Sequence, residues 1–279
     1  MISHRFDYSA PREIEEAVQI LARAGEDCAV LGGGTWLVPN MTFAAHQPKI
    51  VLDPKHLDLS TIIEADDEIS VGARATYADA LRSPIISAHL PLLQSMASGI
   101  TGGISITGQG TIGGSACYGN PSSDVPACLV ALRARLRLRS SGGTRDVEAS
   151  DFFLGQFATA RRPDELLTGI LFPKQTSEAR WGYYKLKFST GSWPIVTSAA
   201  IVEGGRARVV LGAATAVPLL SEGPFPMNLG GDALKEFAKS CVSMSAAEEL
   251  SDELAGPGYR QRVAQSIVQR ALTQCGTSR

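Results

Sequence analysis

The hydrophobic and polar positions of the chain predict a mixed α+β protein. Ile14, Ala17, Val18, Leu21 and Ala22 share one helical face, with Ser9 read as the cap, Pro11 in the first turn and Gly25 as the stop. Cys28, Ala29, Val30 and Leu31 form a short buried strand running into three consecutive glycines, and residues 49–53 read as the next strand. Residues 62–65 and 68–72 form a hairpin around Asp66 and Asp67. Helices are expected over 77–81, 90–97 and 121–132. From 133 to 139, Ala134, Leu136 and Leu138 alternate with arginines, a period of two that marks a strand with one wet face. Those arginines are either a solvated face or a contact for an acidic partner. A turn at Gly142 and Gly143 follows, then a strand over 165–172 that ends at Pro173. Past a polar stretch at 175–179, strands are expected over 181–188, 195–202 and 207–213, and helices over 233–238 and 259–272. This predicts two domains, 1–177 (with subdomains of about 1–56 and 57–177) and 178–279.

Composition narrows the classes of function. The 26 basic and 28 acidic residues nearly cancel, which argues against an electrostatic grip on nucleic acid or anionic lipid. No apolar run reaches the roughly 18 residues that span a bilayer, and no leader pattern opens the chain, so a cytoplasmic protein is expected. The five cysteines share no C-x-x-C spacing, and the four histidines are scattered. Neither a disulfide framework nor a metal or iron–sulfur site is expected in this chain. Redox chemistry here would need an organic cofactor.

Two glycine-rich segments carry the chemistry. The first runs Leu31-Gly32-Gly33-Gly34-Thr35-Trp36-Leu37, and the second Gly110-Thr111-Ile112-Gly113-Gly114-Ser115. Glycine-rich turns let backbone N–H groups converge without Cβ obstruction, which suits a phosphate. Two of them predict a split cradle for a diphosphate, and so a dinucleotide; read singly, each could be a tight turn. Neither fits G-x-G-x-x-G in a βαβ unit or G-x-x-x-x-G-K-[ST], so the Rossmann and P-loop readings fall.

With these segments go Asn120-Pro121-Ser122-Ser123-Asp124-Val125-Pro126, Asp151-Phe152-Phe153 and Asp164-Glu165-Leu166-Leu167. Together they resemble the FAD-binding (medium) subunits of molybdenum hydroxylases, the family of xanthine dehydrogenase and carbon monoxide dehydrogenase flavoproteins, over nearly the whole length. The resemblance implies an α+β fold: a two-subdomain FAD-binding unit of the vanillyl-alcohol oxidase (PCMH) type plus a C-terminal α+β domain. It implies that residues 31–37 wrap the diphosphate and ribityl chain. Thr111, Gly114 and Ser115, with Gly110 and Gly113, hold its other side, and Cys117 borders the cofactor. Asp124 would bind a sugar or ribityl hydroxyl, Leu167 would pack on a ring edge, and Lys185 would approach the isoalloxazine. On the residues alone, Asp124 could equally cap a helix, Lys185 could be a surface lysine, and Trp193 could belong to core, interface or flavin face. The chain departs from the family habit at Trp36, where serine is frequent, and at Gln109, which removes a positive charge.

The function so implied is an electron-transferring FAD subunit of a heterotrimeric molybdenum hydroxylase. Molybdopterin and [2Fe-2S] clusters would lie on a large and a small partner subunit, in a dimer of heterotrimers. No catalytic acid or base and no metal ligand is expected in this chain. The rivals are an autonomous FAD-dependent oxidase or dehydrogenase of the vanillyl-alcohol oxidase type and a flavin-bearing adaptor that scaffolds its partners.

Overall fold

The computed structural model describes residues 2–225, 231–244, 248–256 and 258–276. The first elements are β1 (Asp7–Ser9), α1 (Ile14–Ala24), β2 (Cys28–Val30), α2 (Leu37–Thr42) and β3 (Ile50–Leu52). The strands form a small parallel sheet in the order β1-β3-β2. Ser9 belongs to β1, where it pairs with Leu52, so it does not cap the helix. Glu13 stands at the cap position, and Pro11 precedes the first turn. The backbone of β3 claims Ser9 because a ladder position satisfies its polar groups as well as a cap would. Apolar residues on the inner face of α1, among them Val18 and Leu21, pack on Leu52 and Leu166.

The next segment supplies β4 (Ile62–Glu64), β5 (Glu68–Gly72), α3 (Tyr77–Arg82), α4 (Pro84–His89), α5 (Pro91–Ser98), α6 (Ile104–Thr107), α7 (Ile112–Tyr118) and α8 (Asp124–Ala131). It continues through β6 (Arg135–Ser140), β7 (Gly143–Glu148), α9 (Ala149–Phe152), β8 (Phe153–Gly155), β9 (Ala158–Thr159) and β10 (Leu166–Pro173). Five of its strands form an antiparallel sheet ordered β4-β5-β10-β6-β7. The arginines of β6 find acidic partners within the chain itself: Arg135 pairs with Glu68 at 2.6 Å, Arg137 with Asp146 at 2.8 Å and Arg139 with Glu15 at 3.3 Å.

The last segment is a four-stranded antiparallel meander of β11 (Arg180–Lys187), β12 (Pro194–Glu203), β13 (Arg206–Gly212) and β14 (Leu219–Pro224), followed by α10 (Gly231–Ser240) and α11 (Tyr259–Cys275). One face of this sheet carries Tyr183, Ala199, Ile201 and Val210 into a core shared with α8. The other face packs Ala200, Val202 and Val209 against Val268 and Ala271 of α11. Every residue of α8 is buried, as expected of a helix clasped on all sides.

Glycine sets one of these contacts. A Cβ on Gly182 would lie 1.9 Å from the Ala271 carbonyl oxygen, so β11 and α11 meet only because that side chain is absent. Gly182→Ala should lower unfolding stability by about 1–3 kcal/mol through overpacking. A urea midpoint equal to that of the parent chain would show that α11 can move away freely.

Candidate functional site

The two glycine segments touch. A Cβ on Gly33 would stand 1.8 Å from the Gln109 carbonyl oxygen, and one on Gly32 would lie 3.0 Å from Thr111 Oγ1. Gly34 turns the first loop with φ +71°, in the left-handed region that favours glycine. Among the described residues, nothing accepts a hydrogen bond from the N–H groups of Gly32, Gly33, Gly34 or Thr35. Leu31, whose N–H donates to the Leu52 carbonyl at 2.8 Å, anchors the loop to the parallel sheet.

The second segment is not a turn. Thr111 is the N-cap of α7, and its Oγ1 accepts from Gly114 N–H at 3.0 Å. Two glycines in a first helical turn oppose helix formation by about 1 kcal/mol each, but tertiary contact overrides them. Gly113 is pressed so closely on Ala73 that a Cβ would fall 2.4 Å from its carbonyl oxygen. A start at Thr111, apolar Ile112 and Ala116 four residues apart, and a left-handed stop at Gly119 were the signals in the sequence. Ser115, further along α7, hydrogen-bonds through its hydroxyl to Tyr77. Burial raises both the Tyr77 phenol and the Cys117 thiol above their ordinary values.

A cavity of about 850 Å³ opens over this junction, within the range of about 300–1,000 Å³ usual for ligand pockets. Of the residues expected from the sequence, it brings together Gly32, Gly33, Gly34, Thr35, Trp36, Leu37, Thr111, Gly113, Gly114, Ser115, Cys117, Asp124 and Leu167. Leu31, Gly110 and Lys185 are not among its lining residues. Gly110 lies beneath the wall, where its carbonyl accepts from Tyr77 N–H at 3.2 Å. Sequence reasoning missed an aromatic row on the wall. Trp36 lies 4.3 Å from Tyr118 and 6.0 Å from His46 between ring centroids, and Tyr118 lies 5.1 Å from Phe157. Only the fold brings residues so distant in the chain side by side. Trp193 also faces the cavity and is half exposed. Its loop is tied down by Lys187, which donates to Thr101 Oγ1 at 2.8 Å and to the Thr190 carbonyl at 2.5 Å.

Asp124 sits at the first position of α8, 2 % exposed, while Ser123 beside it is the cap. Lys185 Nζ reaches both carboxylate oxygens at 3.0 Å and the Gly99 carbonyl at 2.6 Å, and Tyr183 donates its hydroxyl to the same carboxylate. Burial pushes the Asp124 carboxyl up, and the Lys185 ammonium and Tyr183 hydroxyl oppose it. Lys185 therefore stands behind Asp124 and spends its charge there. Glu165, which also lines the cavity, accepts from Arg145 at 2.6 Å and from Arg162 at 2.8 Å. Despite its burial, those hydrogen bonds hold its carboxyl down at about 2.

The first loop's N–H groups without acceptors among the described residues, the absent Cβ atoms and the cavity beside them fit the diphosphate of a dinucleotide such as FAD. Residues 4–175 match the family described as FAD binding domain in molybdopterin dehydrogenase. The chain belongs to this family. It is 32% identical to the carbon monoxide dehydrogenase medium chain of Hydrogenophaga pseudoflava, over 98% of this chain and 97% of that one. It is 27% identical to the nicotine 6-hydroxylase medium subunit of Paenarthrobacter nicotinovorans, over 96% of this chain and 96% of that one. Among solved structures, the carbon monoxide dehydrogenase from Hydrogenophaga pseudoflava that lacks the Mo-pyranopterin moiety of the molybdenum cofactor superposes with a TM-score of 0.92, at 31% identity and 99% coverage of both chains. As a member of the molybdopterin dehydrogenase FAD-binding family, the chain is an FAD-dependent oxidoreductase component with the PCMH-type α+β fold. Among the described residues, no helix is long and apolar enough to cross a membrane.

Asp124→Ala should cost about 3–5 kcal/mol of unfolding free energy, because it strands the Lys185 ammonium away from water. Adding Lys185→Met should recover more than half of that loss in urea titrations. Glu165 gives a pH dependence of known sign. Its depressed carboxyl contributes its full stability above the ordinary value of 4.5 and loses it as the pH falls toward about 2. Glu165→Gln should therefore lower the urea midpoint at neutral pH and flatten its decline across that acid window.

Proposed function

We propose that this chain is the FAD-carrying electron-transfer subunit of a heterotrimeric molybdenum-containing hydroxylase. It would accept electrons from a [2Fe-2S] small subunit, downstream of a molybdopterin-bearing large subunit, and pass them to a terminal acceptor. The observation that carries this reading is the pair of touching glycine segments, whose four N–H groups have no acceptor among the described residues and whose residues line a cavity of ligand size. Relatives over nearly the full length support the assignment of partners, since they are named as medium chains or subunits. The complete assembly is proposed to be a cytoplasmic dimer of heterotrimers. Residues 1–177 are proposed as the FAD-binding domain, with subdomains of about 1–56 and 57–177, and 178–279 as the C-terminal domain.

FAD, when bound, supplies the exchange between two-electron chemistry and single-electron carriers. The chain's own residues bind and orient it. Residues 31–37 hold the diphosphate through the N–H groups of Gly32 to Thr35. Thr111, Gly113, Gly114 and Ser115 close the other side, with Gly110 keeping the second segment close to Tyr77. Asp124 accepts from a sugar or ribityl hydroxyl, and Lys185 acts through it by holding both carboxyl oxygens in place. Cys117 and Leu167 provide apolar contact and exclude water.

The test is the visible absorption of whatever co-purifies with the tagged chain from its native cells. The expected spectrum is that of a flavin overlaid by broad iron–sulfur absorption, and both parts should bleach when substrate of the molybdenum subunit is added. A flavin spectrum on a lone chain that turns over substrate unaided would replace this reading with that of an autonomous oxidase.

A further inference from the structure

The N–H groups of the cradle are neutral, whereas a diphosphate brings negative charge. Two arginines line the cavity, Arg74 and Arg161. Arg161 Nη1 is engaged by the carbonyls of Glu165 at 2.8 Å and Arg162 at 3.1 Å. Arg74 is different. Its Nε is buried and has no hydrogen-bond partner among the described residues. Of the three carboxylates that line the cavity, Asp124 and Glu165 have their own cations, and Glu26 forms no ion pair with Arg74 among the described residues. A buried guanidinium N–H without an acceptor destabilises the free chain, and such a group persists where a ligand supplies the acceptor.

Its position says which part of a ligand that is. Arg74 lies in the link between β5 and α3, which runs alongside the second glycine segment. Ile112 N–H donates to the Ala75 carbonyl at 3.0 Å, and Thr76 bridges to Thr111. Ala73 is the residue against which Gly113 is pressed, and Gly114 in turn lies against Gly32. Arg74 therefore rises beside the junction of the two glycine segments.

We propose that Arg74 binds the diphosphate of the cofactor. Its planar fork of N–H donors supplies the charge that the backbone cradle lacks, in the geometry that suits phosphate oxygens. This rests on the FAD reading of the cavity and adds to it a side chain that the glycine motifs do not include.

The experiment uses the full chain stripped of flavin and measures the dissociation constants of FAD, ADP and adenosine by calorimetry. ADP carries the diphosphate without the riboflavin half of FAD, and adenosine is the same molecule without the diphosphate. Arg74→Met keeps the apolar stem and removes the charge, and Arg74→Lys keeps the charge without the fork. Arg74→Met should weaken ADP and FAD by about tenfold to a hundredfold while leaving adenosine unchanged. Arg74→Lys should fall between Met and the parent, and the salt dependence of ADP binding should flatten in Arg74→Met. Should Arg74→Met lower the melting temperature of the ligand-free chain, Arg74→Gln carries the same comparison. ADP affinity within twofold of the parent in the charge-free variants would overturn the proposal, as would an equal loss for adenosine. A parent chain that binds neither FAD nor ADP would instead overturn the cofactor reading itself, and Arg74 with it.

Discussion

The structure turns on a contact that side chains would forbid. Gly33 and the Gln109 carbonyl approach so closely that even a methyl group on Gly33 would collide with backbone. Backbone cannot yield as a flexible side chain can, so the two glycine segments stay in register only while position 33 lacks a Cβ. That contact joins the small parallel sheet to the helical layer of the antiparallel one and makes the floor of the cavity. Gly113 on Ala73 repeats the device from the other side. The result is a close-packed seat beside which the N–H groups of Gly32 to Thr35 have no acceptor among the described residues.

The second constraint is electrostatic. Asp124 is nearly inaccessible, and a carboxylate there would be expensive without a partner. Lys185 and Tyr183 reach it from β11, while Gly99 shares the same ammonium. A single buried charge thus connects α8, the end of α5 and the last sheet. Such pairs bring little net stability, but they reward one arrangement of elements over others. The side chain at the cavity wall is oriented by residues the cavity does not touch.

The regular elements were legible where the period was clean. The arginine alternation of β6, the hairpin of β4 and β5, and the long strands of the last sheet all stand close to where the pattern puts them. Ser9 misled because a cap and a strand end offer the same residue type, and only the distant partner Leu52 decides between them. The helix at Ile112–Tyr118 was hidden by its own glycines, whose poor propensity is outweighed by packing on Ala73. The site was legible in its glycine segments and in Asp124. The aromatic row and Arg74 were not, because neither has a local signature and each depends on long-range approach. Lys185 was visible as a cation near the site, but its orientation toward Asp124 depends on where pairing with β12 places β11.

The parallel sheet at the start of the chain has three strands of only three residues each. So few ladder bonds hold weakly by themselves, and this lobe gains much of its footing from Leu166 and from the glycine contact beneath it. A ligand spanning the junction would then act as mortar as much as cargo, since whatever binds only the closed form deepens that form's well. The binding free energy of the cofactor is then also stability of this lobe against the rest of the chain.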